Sequence, residues 1–462
     1  MCKHISFLTA VFLLLAPTPA TAQPAAGRIR RLGPVAGLDR QSPVSVQIHP
    51  ATYEPIHFVW DAEADEGLLT VPTLTPAGRY NVRLNWREAG GMARSLVTTL
   101  DVAAPPPLRS SSVPPVILLN GFQFPDNLLD LIRFGTCPVS QSSPRSRSTF
   151  GEMENLLTAQ GIQVLFFDNC VECRGGGIEE CGQALGRFVA GYPTDSGQPA
   201  EQVDLAGHSM GGLIARAYLA GKKPGGGFEP PEPHRVRKLA LLGTPNFGSY
   251  RALDVPFVSA QLPQMLPGSN FLWELATWNQ GKDDLRGVDA LALTGNACGF
   301  SGVDNAADGL VTLMSASIGF AREPERTRVL PYRHSGSTLP LCGAKTPLAQ
   351  VDGPEHLTAR ALLSFLQDTE EWKTIGGAAA EDFVLLRYGA GFAALPGASR
   401  LISGAGVEWT RSPGANPANV FFAELLPAEA TDLWFNLGGM WLRFDAAIPA
   451  GTTAAVRLEP PQ

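Results

Sequence analysis

No segment past the first two dozen residues is long and apolar enough to cross a bilayer as a helix, which takes about 20 residues. The chain also lacks a basic excess: 36 Lys and Arg stand against 43 Asp and Glu, for a net charge of -7. That balance argues against nucleic-acid binding, which usually shows a basic face. No internal repeat is visible, which excludes solenoid architectures. Cys170-x-x-Cys173 and Cys181 have no nearby histidine or second C-x-x-C to complete a tetrahedral zinc set, so no metal site is expected from them. What is present is 44% hydrophobic residues, 49 glycines and 39 prolines in 462 residues. Two or three globular domains with many turns and β-rich parts are expected.

The first 22 residues read as a signal peptide: Lys3, an apolar stretch over 5–16, then Ala20 and Ala22 in A-x-A spacing. Cleavage after Ala22 implies a secreted or periplasmic protein. Cys2 leaves with the signal, and Cys137, Cys170, Cys173, Cys181, Cys298 and Cys342 remain. An even number in an oxidising compartment points to disulfides, without fixing which pairs form.

Residues 27–104 hold alternating segments such as "VSVQIH", "HFVW", "RYNVRLNW" and "SLVTTLDVA", the pattern of a small β-sandwich. "LTPAGRYNVRLNW" resembles the closing strands of immunoglobulin-like modules. "APPPLRSSSVPP" follows, and 105–115 is read as an extended proline-rich linker. From 116 to 375 short apolar strands alternate with helical patterns: "VILLNG", a helix near 149–160, "IQVLFFD", a helix near 178–190, "VDLAG", "KLALLGTP" and "ALALTGN". This rhythm predicts a mostly parallel sheet with helices on both faces. Thr149 and Glu152 have capping-box spacing at the start of the first helix. Residues 376–462 return to a Gly/Pro-punctuated β pattern and form an expected C-terminal β domain without a chemical motif.

Gly207-His208-Ser209-Met210-Gly211 fits G-x-S-x-G between an apolar strand and an apolar helix. A nucleophilic serine on a strained strand-to-helix turn needs small neighbours, and the N–H of Met210 would point to where an oxyanion forms. The bare motif is expected roughly 0.3 times by chance in a chain this rich in glycine, so its context carries the weight.

With those flanks, "GHSMGG" resembles the nucleophile elbow of the α/β-hydrolase superfamily, in particular its secreted lipases and esterases, and the resemblance spans about 116–365. It implies an α/β-hydrolase fold flanked by the immunoglobulin-like β-sandwich and the C-terminal β domain. Four further segments carry it. "PVILLNGFQ" is similar to the lipase turn that supplies a second oxyanion donor, which implies the N–H of Phe122 with Gln123 as substrate neighbour; Asn120-Gly121 stands where His-Gly is usual. "LALLGTPNFGS" is similar to scaffold near the pocket. "QMLPGSNFLWELATW" is similar to a cap segment, whose Met265, Leu266, Phe271, Leu272 and Trp273 would line an acyl-chain site, against the plainer reading of a buried helix. "NAADGLVTLMSAS" is similar to the lipase acid loop, which implies Asp308 as the triad acid, with Asp304 as runner-up.

Fold order requires the base to follow the acid, leaving His356, which opens the final helix pattern "HLTARALLSFL", and His334 in "RHSGS". His356 is the first choice and His334 the alternative. His208 precedes the acid and is set aside as base. The resemblance implies a serine ester hydrolase acting on lipid-like esters, with Ser209 as nucleophile and no cofactor. A structural calcium is left open because no carboxylate cluster matches one. Peripheral contact with lipid interfaces is expected, while oligomeric state, acyl length and the acyl acceptor are open. A serine acyltransferase, a deacylase of lipid-linked glycans, or a binding protein with an inert hydrolase domain are the alternatives.

Overall fold

The structure, a computed structural model, describes residues 29–123, 145–249, 259–279, 285–316, 326–336 and 346–378 apart from short gaps, and then the strands up to 458. For residues 145–147, 299–306 and 313–314, for Asp61, Trp273 and Thr277, and beyond 377, only the backbone is described. The signal-peptide reading, Cys137 and Cys342 lie outside the described residues.

Six N-terminal strands come first: β1 (Ile29–Arg31), β2 (Ser45–His49), β3 (His57–Asp61), β4 (Glu66–Thr70), β5 (Gly78–Arg87) and β6 (Ala93–Val102). They form two three-stranded antiparallel sheets, ordered β1-β4-β3 and β2-β5-β6. In β5 the side chains alternate, so Tyr80, Val82, Leu84 and Trp86 point inward, where they meet Leu69 of β4 in one shared core. Tyr80 Oη donates to Pro76 O at 2.8 Å and Trp86 Nε1 to Gly37 O at 2.7 Å, so both amphipathic rings keep their polar ends satisfied.

The proline-rich segment that follows is anchored. Leu108 N donates to Pro193 O, Asp195 N donates to Leu108 O, both at 2.8 Å, and the Gln163 side chain bonds both backbone groups of Arg109 at 2.7 Å. The backbone groups that proline leaves without a ladder find partners on the next unit instead.

That next unit is built on β7 (Val116–Leu119), β8 (Val164–Phe167), β9 (Val203–His208), β10 (Val236–Leu242), β11 (Asp289–Gly295) and β14 (Thr327–Leu330). The strand order is β14-β11-β10-β9-β7-β8, and every neighbouring pair in it is parallel. A short hairpin, β12 (Cys298–Phe300) and β13 (Val303–Ala307), leaves the end of β11. The pleat sends alternate residues to opposite faces. Ile117, Leu119, Leu205, Leu239 and Leu241 pack on one side, under helices α4 (Ile178–Gly191) and α5 (Met210–Ala220). Val116, Leu118, Ala206, Ala240, Leu242 and Leu293 pack on the other, under α2 (Met153–Ala159) and α9 (Leu357–Leu366). A sheet covered on both faces has no polar face, which is why its strands read as continuous apolar runs. Each fully buried Leu contributes about 1.5–3 kcal/mol.

Two local expectations are corrected. The helix expected near 149–160 is split into α1 (Arg145–Phe150) and α2, because the chain turns at Gly151 to bond Val351. Gly151 has a φ of +56°, and a Cβ there would lie 2.2 Å from Val351 O. Glu152 therefore sits at the start of α2 without a side-chain cap bond, and the Thr149–Glu152 capping box does not form. At the other end, β15 (Gly377–Ala378) pairs antiparallel with β14 and completes the hydrolase-type sheet, although residues from 376 were assigned to the C-terminal unit.

The remaining strands, β16 (Phe383–Tyr388), β17 (Ala398–Ser403), β18 (Glu408–Arg411), β19 (Val420–Glu424), β20 (Ala430–Leu437), β21 (Met440–Ile448) and β22 (Ala454–Leu458), form one sheet ordered β21-β20-β17-β18-β19-β16-β22.

Candidate active site

Strand order reverses at β7, which lies between β8 and β9, so the loops leaving β7 and β9 diverge and open a crevice at their carboxyl ends. Both loops carry residues singled out above. At the end of β9, Ser209 has a φ of 54° and a ψ of -127°, a strained conformation for a residue with a side chain. The glycines around it are required by close approach. A Cβ on Gly207 would lie 2.5 Å from Gly212 N, one on Gly211 would lie 2.4 Å from Leu119 O, and one on Gly212 would lie 2.0 Å from Thr244 Oγ1. The first turn of α5 is thereby pressed against β7 and β10. Met210 is the first residue of α5, so its N–H has no intrahelical acceptor.

The turn after β7 reaches the same place: a Cβ on Gly121 would stand 2.7 Å from Ser209 Cβ and 3.3 Å from its Oγ. Phe122 follows and packs half-buried against the core, while Gln123 Nε2 donates to Gly121 O at 3.3 Å. The turn is held from behind by α3 (Asn169–Glu172), a single helical turn after β8. Asn169 Nδ2 donates to Asn120 O at 2.9 Å and to Gly121 O at 2.8 Å, and Asn169 N donates to Asn120 Oδ1 at 3.0 Å. Asn120 and Asn169 are both buried. Asn120 thus meets its hydrogen-bonding needs through Asn169 and through Asp168, whose Oδ1 accepts from Asn120 Nδ2 at 3.5 Å. Sequence reading missed Asn169; the available signal was "FFDNC", an Asp N-cap directly after an apolar strand, and Asp168 Oδ1 does accept from Cys170 N at 3.0 Å.

Asp308, buried at 1% exposure, follows β13. Its Oδ1 accepts from the N–H groups of Leu310 and Val311, at 3.0 and 2.8 Å, and its Oδ2 bonds His334 Nδ1 at 2.7 Å. His334 N also donates to Asp308 O at 2.9 Å. A carboxylate that already accepts two backbone donors draws the imidazole proton to Nδ1 and leaves Nε2 with its lone pair. Gly243, at the end of β10, makes room for the pair: a Cβ there would meet Asp308 Oδ2 at 3.1 Å and His334 Nδ1 at 3.2 Å. The "GTPNFGS" segment supports the Asp308 loop and α8 (Leu313–Ala316) after it: Ser249 Oγ donates to Leu310 O at 2.5 Å, and Phe247 N donates to Ser315 Oγ at 3.2 Å.

His208 joins this pair to the elbow. Its Nε2 donates to His334 O at 3.0 Å, and the two rings lie 4.8 Å apart. Burial pushes the His208 imidazole down to about 3, and the charge that His334 can carry acts in the same direction. A permanently neutral histidine therefore fastens the His334 loop to the residue next to Ser209.

His356, the first choice for the base, is engaged elsewhere. Its Nε2 bonds Pro347 O at 3.1 Å, its ring stacks on Tyr332 at 4.4 Å, and its buried Nδ1 has no partner among the described residues. Asp308 pairs with the alternative, His334, because "TRVLPYRH" runs up β14 beside β11 and delivers residue 334 to the carboxyl edge, whereas residue 356 is the N-cap of α9. Of the residues expected to line an acyl site, Met265, Leu266, Phe271 and Leu272 are 1–6% exposed and pack in the core beneath α5. Their segment holds α6 (Gln261–Gln264) and α7 (Asn270–Thr277). The side chains of Trp273 and Asp304 are outside the described residues. Cys173 and Cys181 form a disulfide, and Cys170 and Cys298 are disulfide-bonded as well. Among the described residues, no group of three His, Cys, Asp or Glu side chains could hold a metal ion, and no helix is long and apolar enough to cross a membrane.

No protein-family model and no curated protein matches the chain. Among solved structures it is similar to phospholipase PlaB from Legionella pneumophila in complex with thio-NAD, at 14% identity over 75% of this chain and 93% of that one, TM-score 0.49. It is also similar to a gene product of Listeria innocua, at 15% identity over 56% and 96% of the two chains, TM-score 0.30. Candida antarctica lipase A in its closed state matches at 14% identity over 43% of each chain, TM-score 0.20. These scores carry no argument about activity. The six-stranded parallel sheet, with its strand–serine–helix turn at the point where strand order reverses, itself fits an α/β-hydrolase core.

Proposed function

We propose that the chain is an exported serine ester hydrolase of lipase type, with Ser209, His334 and Asp308 as its triad. The observation that carries this reading is the buried Asp308–His334 pair, bonded at 2.7 Å and fastened through His208 to the strained elbow of Ser209. His334 Nε2 takes the Ser209 proton as Oγ attacks the ester carbonyl. Asp308 holds the tautomer and stabilises the imidazolium, and the N–H groups of Met210 and Phe122 receive the oxyanion. The alcohol leaves with the proton from His334, and water then releases the acyl group by the same steps in reverse order.

Lipid-like esters are the proposed substrate class, with contact at lipid interfaces. The 105–115 segment and the two β units are proposed as accessory parts of the exported protein. The tyrosine bonded to backbone four residues upstream, Tyr80 to Pro76, supports an immunoglobulin-like assignment for the first. Among the described residues it has six strands, one fewer than a seven-stranded immunoglobulin domain. The test compares the purified protein with Ser209→Ala on p-nitrophenyl esters of short and long acyl chains and on triglyceride emulsion. Loss of turnover in the variant is expected, and equal turnover refutes the serine mechanism.

A further inference from the structure

The contact that joins the N-terminal β unit to the hydrolase-type unit ends on the same helical turn that holds the Asn120–Gly121 turn. Thr73, in the loop between β4 and β5, directs its N–H to both carboxylate oxygens of Glu172, at 3.1 and 3.0 Å, and its hydroxyl also bonds Oε1. Glu172 is only 7% exposed, so its charge depends on such donors. It is the last residue of α3, and Asn169 is the first. At one end, therefore, this single turn is seized by the N-terminal unit, and at the other it donates to the carbonyls of Asn120 and Gly121.

The turn has little freedom to absorb a displacement. Asp168 caps it, Cys170 within it is disulfide-bonded, and Cys173 just after it is bridged to Cys181. Leu74 lies against Gly191 of α4, the Arg187 guanidinium sits 5.3 Å over the Tyr53 ring, and the 105–115 segment is pinned at Leu108 and Arg109. The N-terminal unit is thus held at several points around α3 and α4.

We infer that the N-terminal β unit is part of the positioning machinery of the site. Through Thr73, Glu172 and Asn169 it fixes the carbonyls of Asn120 and Gly121, and hence the direction of the next N–H, that of Phe122. The inference rests on the proposed role of that N–H as an oxyanion donor. Thr73, Glu172 and Asn169 are positioning residues and touch no substrate.

The test uses the full chain and two substrates, p-nitrophenyl butyrate and the matching thionoester, whose sulfur is a poorer hydrogen-bond acceptor and so gains less from oxyanion donors. Removal of one oxyanion donor costs about 10²–10³ in kcat. On that scale Asn169→Ala is expected to lower kcat for the oxygen ester by about 10²-fold with KM little changed, and to lower the ester-to-thionoester ratio. Thr73→Val, which is isosteric and keeps the backbone N–H, and Glu172→Gln are expected to lower kcat by roughly 3–10-fold with the ratio moving the same way, a fraction of the cost of a lost donor. Tyr53→Ser loosens the same interface without touching α3 and is expected to leave kcat and the ratio unchanged. If Thr73→Val and Glu172→Gln lower the melting temperature yet keep the wild-type kcat and ratio, the contact is only structural and the inference is overturned. If Asn169→Ala alone changes the ratio, the link to the N-terminal unit is overturned. Full activity of Ser209→Ala would instead refute the underlying serine mechanism.

Discussion

Replacing His334 and His356 by alanine, one at a time, separates the two histidines that follow the acid in the chain. His334 Nδ1 donates to Asp308 Oδ2 at 2.7 Å, and its loop is held to His208 beside Ser209. His334→Ala removes the proton acceptor and leaves only the oxyanion donors and substrate binding, so kcat is expected to fall roughly 10⁴–10⁶-fold, the scale seen when a triad member is deleted. Asp308 keeps its two backbone donors, so the cost in stability stays near 1–3 kcal/mol. His356→Ala loses the bond to Pro347 O and the stack on Tyr332. Those contacts are worth about 2–4 kcal/mol, offset in part because the ring's buried Nδ1 already lacks a partner. A net loss of about 1–3 kcal/mol lowers the melting temperature by a few degrees in a unit of this size, with kcat within about threefold of wild type. Stopped assays with p-nitrophenyl butyrate and thermal melts of the purified variants read both quantities. A His356→Ala protein that melts normally but loses more than a thousandfold in kcat, beside an active His334→Ala protein, would refute the assignment.

Three more expectations follow from the same geometry. Gly121→Ala sets a methyl 2.7 Å from Ser209 Cβ, and moving the nucleophile by about 1 Å is expected to cost about 10²-fold in kcat with the fold retained; unchanged kcat would show that the β7 turn yields instead. For His208 the folded pKa, about 3, lies below the ordinary 6.5, so the unfolded state binds a proton that the folded state refuses as pH falls between those values. Its effect on stability is absent above about 6.5, and stability falls by up to roughly 1.4 kcal/mol per pH unit below it. His208→Asn should flatten that slope in urea melts between pH 7 and 4, and an unaltered slope refutes a neutral buried His208. Replacing both Cys173 and Cys181 by serine opens a bridge between residues eight apart and is expected to cost about 2–3 kcal/mol in urea unfolding; no change in the midpoint would show the loop to be held by its other contacts.

Much of the parallel sheet was legible in the chain because each strand is buried on both faces and reads as an unbroken apolar run, as in "VDLAGH" and "KLALLG". Ser209 was legible for a related reason. A strained turn pressed between β7 and β10 demands small residues at fixed offsets, and that demand is written locally as Gly207, Gly211 and Gly212. The helix starting near 149 was misread because Gly151 answers to Val351, two hundred residues away, and no local pattern records such a bond. For Met265, Leu266, Phe271 and Leu272 the sequence leaves an acyl lining and a buried helix both open, because apolar spacing shows that a face is covered without showing what covers it.

Local spacing and chain order are enough to read the parallel sheet, the strand–serine–helix turn and Asp308 as the acid to test. That Asp308 meets His334 and not His356, that His208 ties that pair to the elbow, and that Asn169 and Thr73 stand behind the Asn120–Gly121 turn emerges only in the folded chain. These contacts join residues 26 to 126 apart in the chain, most of them from a side chain to a backbone group, and distances across parallel strands depend on register and loop path. Neither is encoded in residue types taken a window at a time.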